Sequence, residues 1–152
     1  MGAGGSVFGG PALFDRNGEE KTLAQLRNGK VRDAMCLFAG LGVRDLGLIR
    51  SAAVHPSAHL LRLDLTGNKI GNQGAAVLAS LIWSSKHLER LDLTDNSIGD
   101  KGSAALGKSC RHTLTLEDLL LSNNKIRDLG ASQLARYLTP YKKRQDKHTV
   151  KT

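Results

Sequence analysis

Apolar residues recur through the second half of the chain in a block of 28 residues, and seven positions of the block are identical each time. Leu60, Leu63, Leu65, Asn68, Ile70, Gly74 and Leu78 return as Leu88, Leu91, Leu93, Asn96, Ile98, Gly102 and Leu106, then as Leu116, Leu119, Leu121, Asn124, Ile126, Gly130 and Leu134. A fixed period of this size marks a stack of units, none of which can bury its apolar face alone. The rhythm changes inside each unit. Leu63 and Leu65 alternate as in a strand, whereas Ala75, Leu78 and Ile82 keep the i, i+3, i+7 spacing of a helix, as do Ser103, Leu106, Cys110 and Ala131, Leu134, Leu138. Each unit is therefore predicted to be one short strand followed by one helix. Asn72, Asp100 and Asp128 share a position at the predicted helix starts, where a side-chain oxygen can accept from free backbone N–H groups. Gly74, Gly102 and Gly130, with Ala79, Gly107 and Ala135, are small enough to let helices approach closely.

The repeated asparagine is predicted to have a structural task. Where the strand turns away, buried peptide groups lose their ladder partners, and an amide side chain can satisfy them with donor and acceptor together. Asn68, Asn96 and Asn124 should form such a ladder. Parallel strands lie about 4.8 Å apart and packed helices about 8 to 10 Å apart, so the stack must curve with its strands inside. The expected fold is an α/β solenoid with a curved parallel sheet on the concave side and helices on the convex side. The pattern L-x-x-L-x-L-x-x-N-x-I-x-x-x-G-x-x-x-L, in register over residues 60 to 138, resembles a leucine-rich repeat of the ribonuclease-inhibitor type. The resemblance implies a horseshoe that binds other proteins and seldom catalyses.

The flanks depart from the pattern. Val43 and Gly47 keep the I-x-x-x-G gap, with Cys36 and Phe38 where strand leucines would stand and Leu41 in place of asparagine, at an offset of 27 residues. Residues 33 to 58 thus read as a degenerate capping unit, with His55-Pro56-Ser57 turning out of its helix and a short helix within 19–27 covering the end through Leu23 and Leu26. The organisation expected is a glycine-rich flexible leader over 1–18, a repeat domain over 19–140 (cap 19–58, repeats 60–87, 88–115 and 116–140) and a basic tail over 141–152. No cap is visible after Leu138. Tyr137 and Tyr141 could fold over the last unit, or a partner could cover it, since an uncovered strand edge invites pairing.

Charge narrows the partners. The formal net charge is +8, and residues 141 to 152 hold five basic side chains against one acidic, half of the excess. Lys142, Lys143, Arg144, Lys147 and Lys151 favour an acidic surface: a protein such as a cytoskeletal filament, a membrane, or nucleic acid. A solubilising tail without a specific partner is the plainer reading. A ribonuclease inhibitor should be acidic and cysteine-rich, and this chain is neither. Cys36 and Cys110 fall at core positions 74 residues apart and read as buried thiols. No apolar run approaches the roughly 20 residues needed to span a bilayer, no secretory signal is visible and no glycosylation sequon occurs. Together these point to the cytoplasm, with a cytoskeletal or ciliary setting by family analogy.

The best candidate contact surface is the outward side of the strands: Arg62, Asp64 and Thr66 beside Arg90, Asp92 and Thr94, and beside Asp118, Leu120 and Ser122. Arg and Asp rows could equally just neutralise each other, worth at most about 1 kcal/mol per exposed pair. Trp83 has Arg111 and Thr139 as repeat equivalents, so the core does not require it; it is a candidate partner anchor, with Tyr141, Lys142, Lys143 and Arg144. Met1-Gly2-Ala3-Gly4-Gly5-Ser6 matches the pattern for myristoylation of Gly2, which with a basic segment would tether the chain to a membrane. An enzyme is not expected. His59 and His87 lack a third metal ligand, Asp64 and Asp92 face solvent beside arginines, and no cofactor motif is present. The leading function is a small protein-interaction subunit or adaptor. The alternatives are a lipid-tethered adaptor and an RNA-associated protein held by its tail, the latter without the aromatic platforms of single-strand binders.

Overall fold

Strand and helix alternate as the repeats require. A computed structural model describes residues 13–14, 20–21 and 23–145, with side chains placed over 23–138. The elements are β1 (Leu13–Phe14), β2 (Glu20–Lys21), α1 (Leu23–Arg27), β3 (Asp33–Met35), α2 (Val43–Ala53), β4 (Arg62–Asp64), α3 (Gly71–Ser84), β5 (Arg90–Asp92), α4 (Asp100–Cys110), β6 (Asp118–Leu120) and α5 (Asp128–Gln145). One sheet runs in the order β2-β1-β3-β4-β5-β6. β3 to β6 are parallel, and the repeat period sets their register: Leu63 opposes Leu91, which opposes Leu119. The helices pack in sequence behind the sheet. Between the layers Leu63, Leu65, Leu78, Leu91, Leu93 and Leu106 are buried, so the two periodicities of each unit meet in one core.

The asparagine ladder is present. Asn96 donates from Nδ2 to the carbonyls of Leu65 at 2.9 Å and Thr94 at 3.0 Å, while its Oδ1 accepts from the backbone N–H of Asn68 at 3.0 Å and of Ile70 at 3.4 Å. Asn124 repeats this one unit on, reaching Leu93, Leu121 and Ser122 and accepting from Asn96 and Ile98. Asn68 serves Cys36 and Leu65, and accepts from Leu41. Each amide therefore completes the loop of the unit before it.

The helix-start residues act across units too, which the repeat alone did not show. Asn72 does not cap α3, in which it lies. Its Oδ1 accepts from the N–H groups of Gly99 and Gly102, both at 2.9 Å, at the start of α4, and Asp100 Oδ1 accepts from Arg127 N–H at 2.7 Å just ahead of α5. Close approach makes this possible. A Cβ on Gly102 would stand 2.8 Å from Asn72 Oδ1 and 3.0 Å from Ala75 Cβ, and one on Gly130 would collide with Asp100 Oδ1. Asn72→Ala should cost about 1 kcal/mol, as loss of an N-cap does. Urea denaturation should show a lower midpoint with an unchanged slope.

The N-terminal unit differs from expectation in register. Ala34 and Cys36 take the buried strand positions, with Ala34 opposite Leu63, rather than Cys36 and Phe38. Leu41 nevertheless meets Asn68 as an asparagine-position residue would. Two extra residues in the connecting turn reconcile an offset of 29 in the strand with 27 at Leu41. Phe38 is 70% exposed in a left-handed turn (φ 48°), its ring over Gly67, where a Cβ would strike it. Leu26 on α1 is buried and Leu23 half-buried against the core, while the turn after α2 closes through Ala58 N–H to the His55 carbonyl at 2.9 Å.

Both ends carry more regular structure than the sequence suggests. β1 lies inside the stretch read as a leader; it pairs antiparallel with β2 and, through Phe14 and Met35, with β3. At the other end α5 continues to Gln145, past the 140 boundary. Pro140 removes the N–H that would bond the Arg136 carbonyl, but the backbone stays helical through Tyr141, Lys142, Lys143 and Arg144. Gly2 and residues 146–152, with Lys147 and Lys151, lie outside the described residues.

Candidate functional site

The outward strand residues line an open groove of about 800 Å³. Register places Asp33, Arg62, Arg90 and Asp118 in one row and Met35, Asp64, Asp92 and Leu120 in the next. The two arginines do not neutralise the Asp64 and Asp92 row. Arg62 Nη1 reaches Asp33 Oδ1 at 3.5 Å, and Arg90 Nη1 reaches Asp118 Oδ2 at 2.9 Å. Asp64 Oδ1 accepts instead from the N–H and hydroxyl of Thr66, at 3.0 and 2.7 Å, and Asp92 Oδ1 from Thr94 N–H at 3.0 Å. Glu89 and Glu117 line the same groove, so its walls carry six carboxylates against two guanidiniums. The overall positive charge had suggested acidic partners, but the concave face is the acidic part of the molecule.

The last unit presents a second surface. Leu119, Leu121, Ile126 and Leu134 are half-buried, whereas their equivalents in the two preceding units lie in the closed core. Leu129 and Leu138 are exposed, at 62% and 40%. Among the described residues no strand pairs with the far side of β6. Tyr137 does not cover this end. Its ring lies beneath the Arg111 guanidinium, 6.0 Å from carbon to centroid, and beside Gly107 on α4.

A third grouping sits where the helices end. Trp83, 54% exposed, meets His112 with ring centroids 4.1 Å apart. His59 and His87 stack at 4.6 Å, as their shared repeat position suggests, and the described residues hold no cluster of three metal-binding side chains.

Neither cysteine is bridged, and both are buried. Desolvation, with a smaller contribution from the Asp64 carboxylate, pushes the Cys36 thiol up to about 12, and desolvation alone pushes Cys110 to about 11. A pKa raised by folding means the native state holds the proton more tightly than the unfolded chain, so stability should fall as pH rises above about 9. At neutral pH the thiolate fraction is very small. A maleimide reagent should leave both thiols unlabelled in the native protein and label both after unfolding in urea.

The Leucine Rich repeat family model matches residues 57–79, 84–107 and 112–135, one match to each of the three strand–helix units just described. The chain is a leucine-rich repeat protein. No curated protein sequence matches it. Among solved structures it is similar to actin-binding site 2 of leiomodin-1, at a TM-score of 0.57 and 13% identity over 83% of this chain and 92% of that one. It is similar also to the tropomodulin C-terminal domain of Caenorhabditis elegans, at 0.57 and 15% over 85% and 96%. At these identities the likeness is one of fold. No described helix is long and apolar enough to cross a membrane.

Proposed function

We propose that the chain is a non-catalytic protein-interaction module, a small subunit or adaptor in an intracellular assembly. The observation that carries this reading is the graded exposure of equivalent leucines. The same strand position is closed at Leu91 and open to solvent at Leu119. A repeat core left open in this way gains stability when a further strand or helix packs on it. The leiomodin-1 neighbour is described as an actin-binding site, which supports a cytoskeletal setting and makes actin the first partner to test. A ciliary setting rests on family analogy.

The test compares the wild type with a Leu119→Asp, Leu121→Asp variant in co-sedimentation with actin filaments and in recovery of native complexes. Retained complexes for the wild type and their loss in the variant, with both proteins folded by circular dichroism, are expected. Equal recovery with both would remove the open end from the interface, and no recovery with either would remove the module reading.

A further inference from the structure

The row of side chains at the helix ends is explained neither by the core nor by the groove. Trp83 lies in the last turn of α3, Arg111 and His112 follow α4, and Tyr137 lies in the third turn of the last helix. The Trp83–His112 ring contact and the Arg111–Tyr137 cation–π contact join them into one continuous strip across three units. Leu114, two residues beyond His112 in the chain, is 84% exposed. Tryptophan, tyrosine and arginine are the side chains most enriched among residues that dominate binding energy, because each combines a large rigid area with a polar tip.

The charge of this side is of one sign. Residues 79–88, 102–116 and 129–138 contain lysines and arginines but no aspartate or glutamate. Cations in the last turn of a helix are favoured by its dipole, which accounts for some of them. It does not account for an exposed tryptophan or for Leu114. The acidic side chains gather instead in the groove and at the helix starts, so the molecule has an acidic concave face and a basic helix-end face.

We infer that the helix-end strip centred on Trp83, Arg111, His112 and Tyr137 is a docking surface for an acidic segment of a partner protein that carries an apolar anchor. This rests on the reading of the chain as an interaction module and assigns it a second contact, separate from the open end. Charge complementarity selects an acidic segment, and Trp83 and Leu114 supply the apolar area that fixes its position. Single-stranded nucleic acid fits less well. The rings of Trp83 and Tyr137 already have His112 and Arg111 against them, which leaves fewer free faces for bases to stack on.

Trp83 is the only tryptophan, so its emission reports this surface alone. The full chain is titrated with a short peptide in which glutamates flank a Phe-Leu pair, with the same peptide carrying lysines in place of glutamates, and with an oligouridylate. The acidic peptide should shift Trp83 emission saturably and more weakly as salt is raised. Arg111→Glu should weaken it about tenfold or more at an unchanged melting temperature. Trp83→Phe, with binding followed on a labelled peptide, should keep most of the affinity and Trp83→Ala should lose it. No shift, an equal shift with the lysine peptide, a stronger one with oligouridylate, or unchanged affinity in Arg111→Glu would each overturn the assignment. Loss of complexes in the Leu119→Asp, Leu121→Asp variant would still stand in that case, so the two readings fail separately.

Discussion

Replacing Asn96 with alanine is expected to cost about 4 kcal/mol, a large effect for a single polar substitution. The side chain is fully buried, and its amide serves the carbonyls of Leu65 and Thr94 and the N–H groups of Asn68 and Ile70. Removing it strands these groups, and an unsatisfied buried polar group costs about 1–3 kcal/mol. Some relaxation and water entry must follow, which keeps the total below the simple sum. Against a stability of about 5–15 kcal/mol for a domain, such a loss leaves a protein only marginally folded at 25 °C. Urea denaturation followed by circular dichroism measures it. Asn124→Ala should cost less, because Asn124 is half-buried and water can reach its bonds to Leu121 and Ser122. Equal losses at the two sites would mean that the last loop is as dry as the middle one.

The second large effect is a contrast between two identical substitutions. Leu91→Ala should destabilise the isolated chain by about 3–4 kcal/mol, the range for a fully buried leucine whose cavity cannot collapse. Leu119 stands directly opposite Leu91 in the sheet and holds the same repeat position. Yet it is half-buried, with solvent on one side, and Leu119→Ala should cost only about 1 kcal/mol. The same pair measured in the assembled complex should converge, since a partner that completes the core would bury both. Equal costs in the isolated chain, or full hydrogen-exchange protection of the β6 amides there, would show the end to be closed already.

The parts of this fold legible in the sequence are those in which each unit copies the last. The register of β4, β5 and β6, the buried leucines and the asparagine ladder all follow from the 28-residue period, because parallel pairing between identical units can only place like beside like. The asparagines could be read as structural because a buried amide needs partners and the turn supplies them. What escaped is what breaks the copying. In the cap, Val43 and Gly47 fixed an offset of 27, but two residues of extra turn move the strand to 29, so Ala34 displaced Phe38 from the core. A two-residue strand such as β1 carries too few alternations to be recognised, and the boundary expected at 140 falls inside α5, whose polar last turns carry no apolar rhythm to mark them as helix. The period sets Arg62, Arg90 and Asp118, and Asp64, Asp92 and Leu120, side by side along the groove, but the acidic balance of that groove depends on Glu89, Glu117 and Asp33, outside the positions singled out. The strip through Arg111, His112 and Tyr137 had only one visible signal, the exposed Trp83, because contacts between neighbouring helix ends depend on side-chain directions that no periodicity encodes.

The two sets of cross-unit bonds point in opposite directions along the chain, and this has a consequence for biosynthesis. Asn72 and Asp100 reach forward, so the start of each later helix finds its acceptor already synthesised. Asn96 and Asn124 reach backward, so a loop is finished only after the ribosome has released the unit that follows it. Maturation of a nascent chain should therefore trail translation by one unit, and a translation arrest just before Asn124 would leave the turn at Asn96 and Ile98 a target for quality-control proteases.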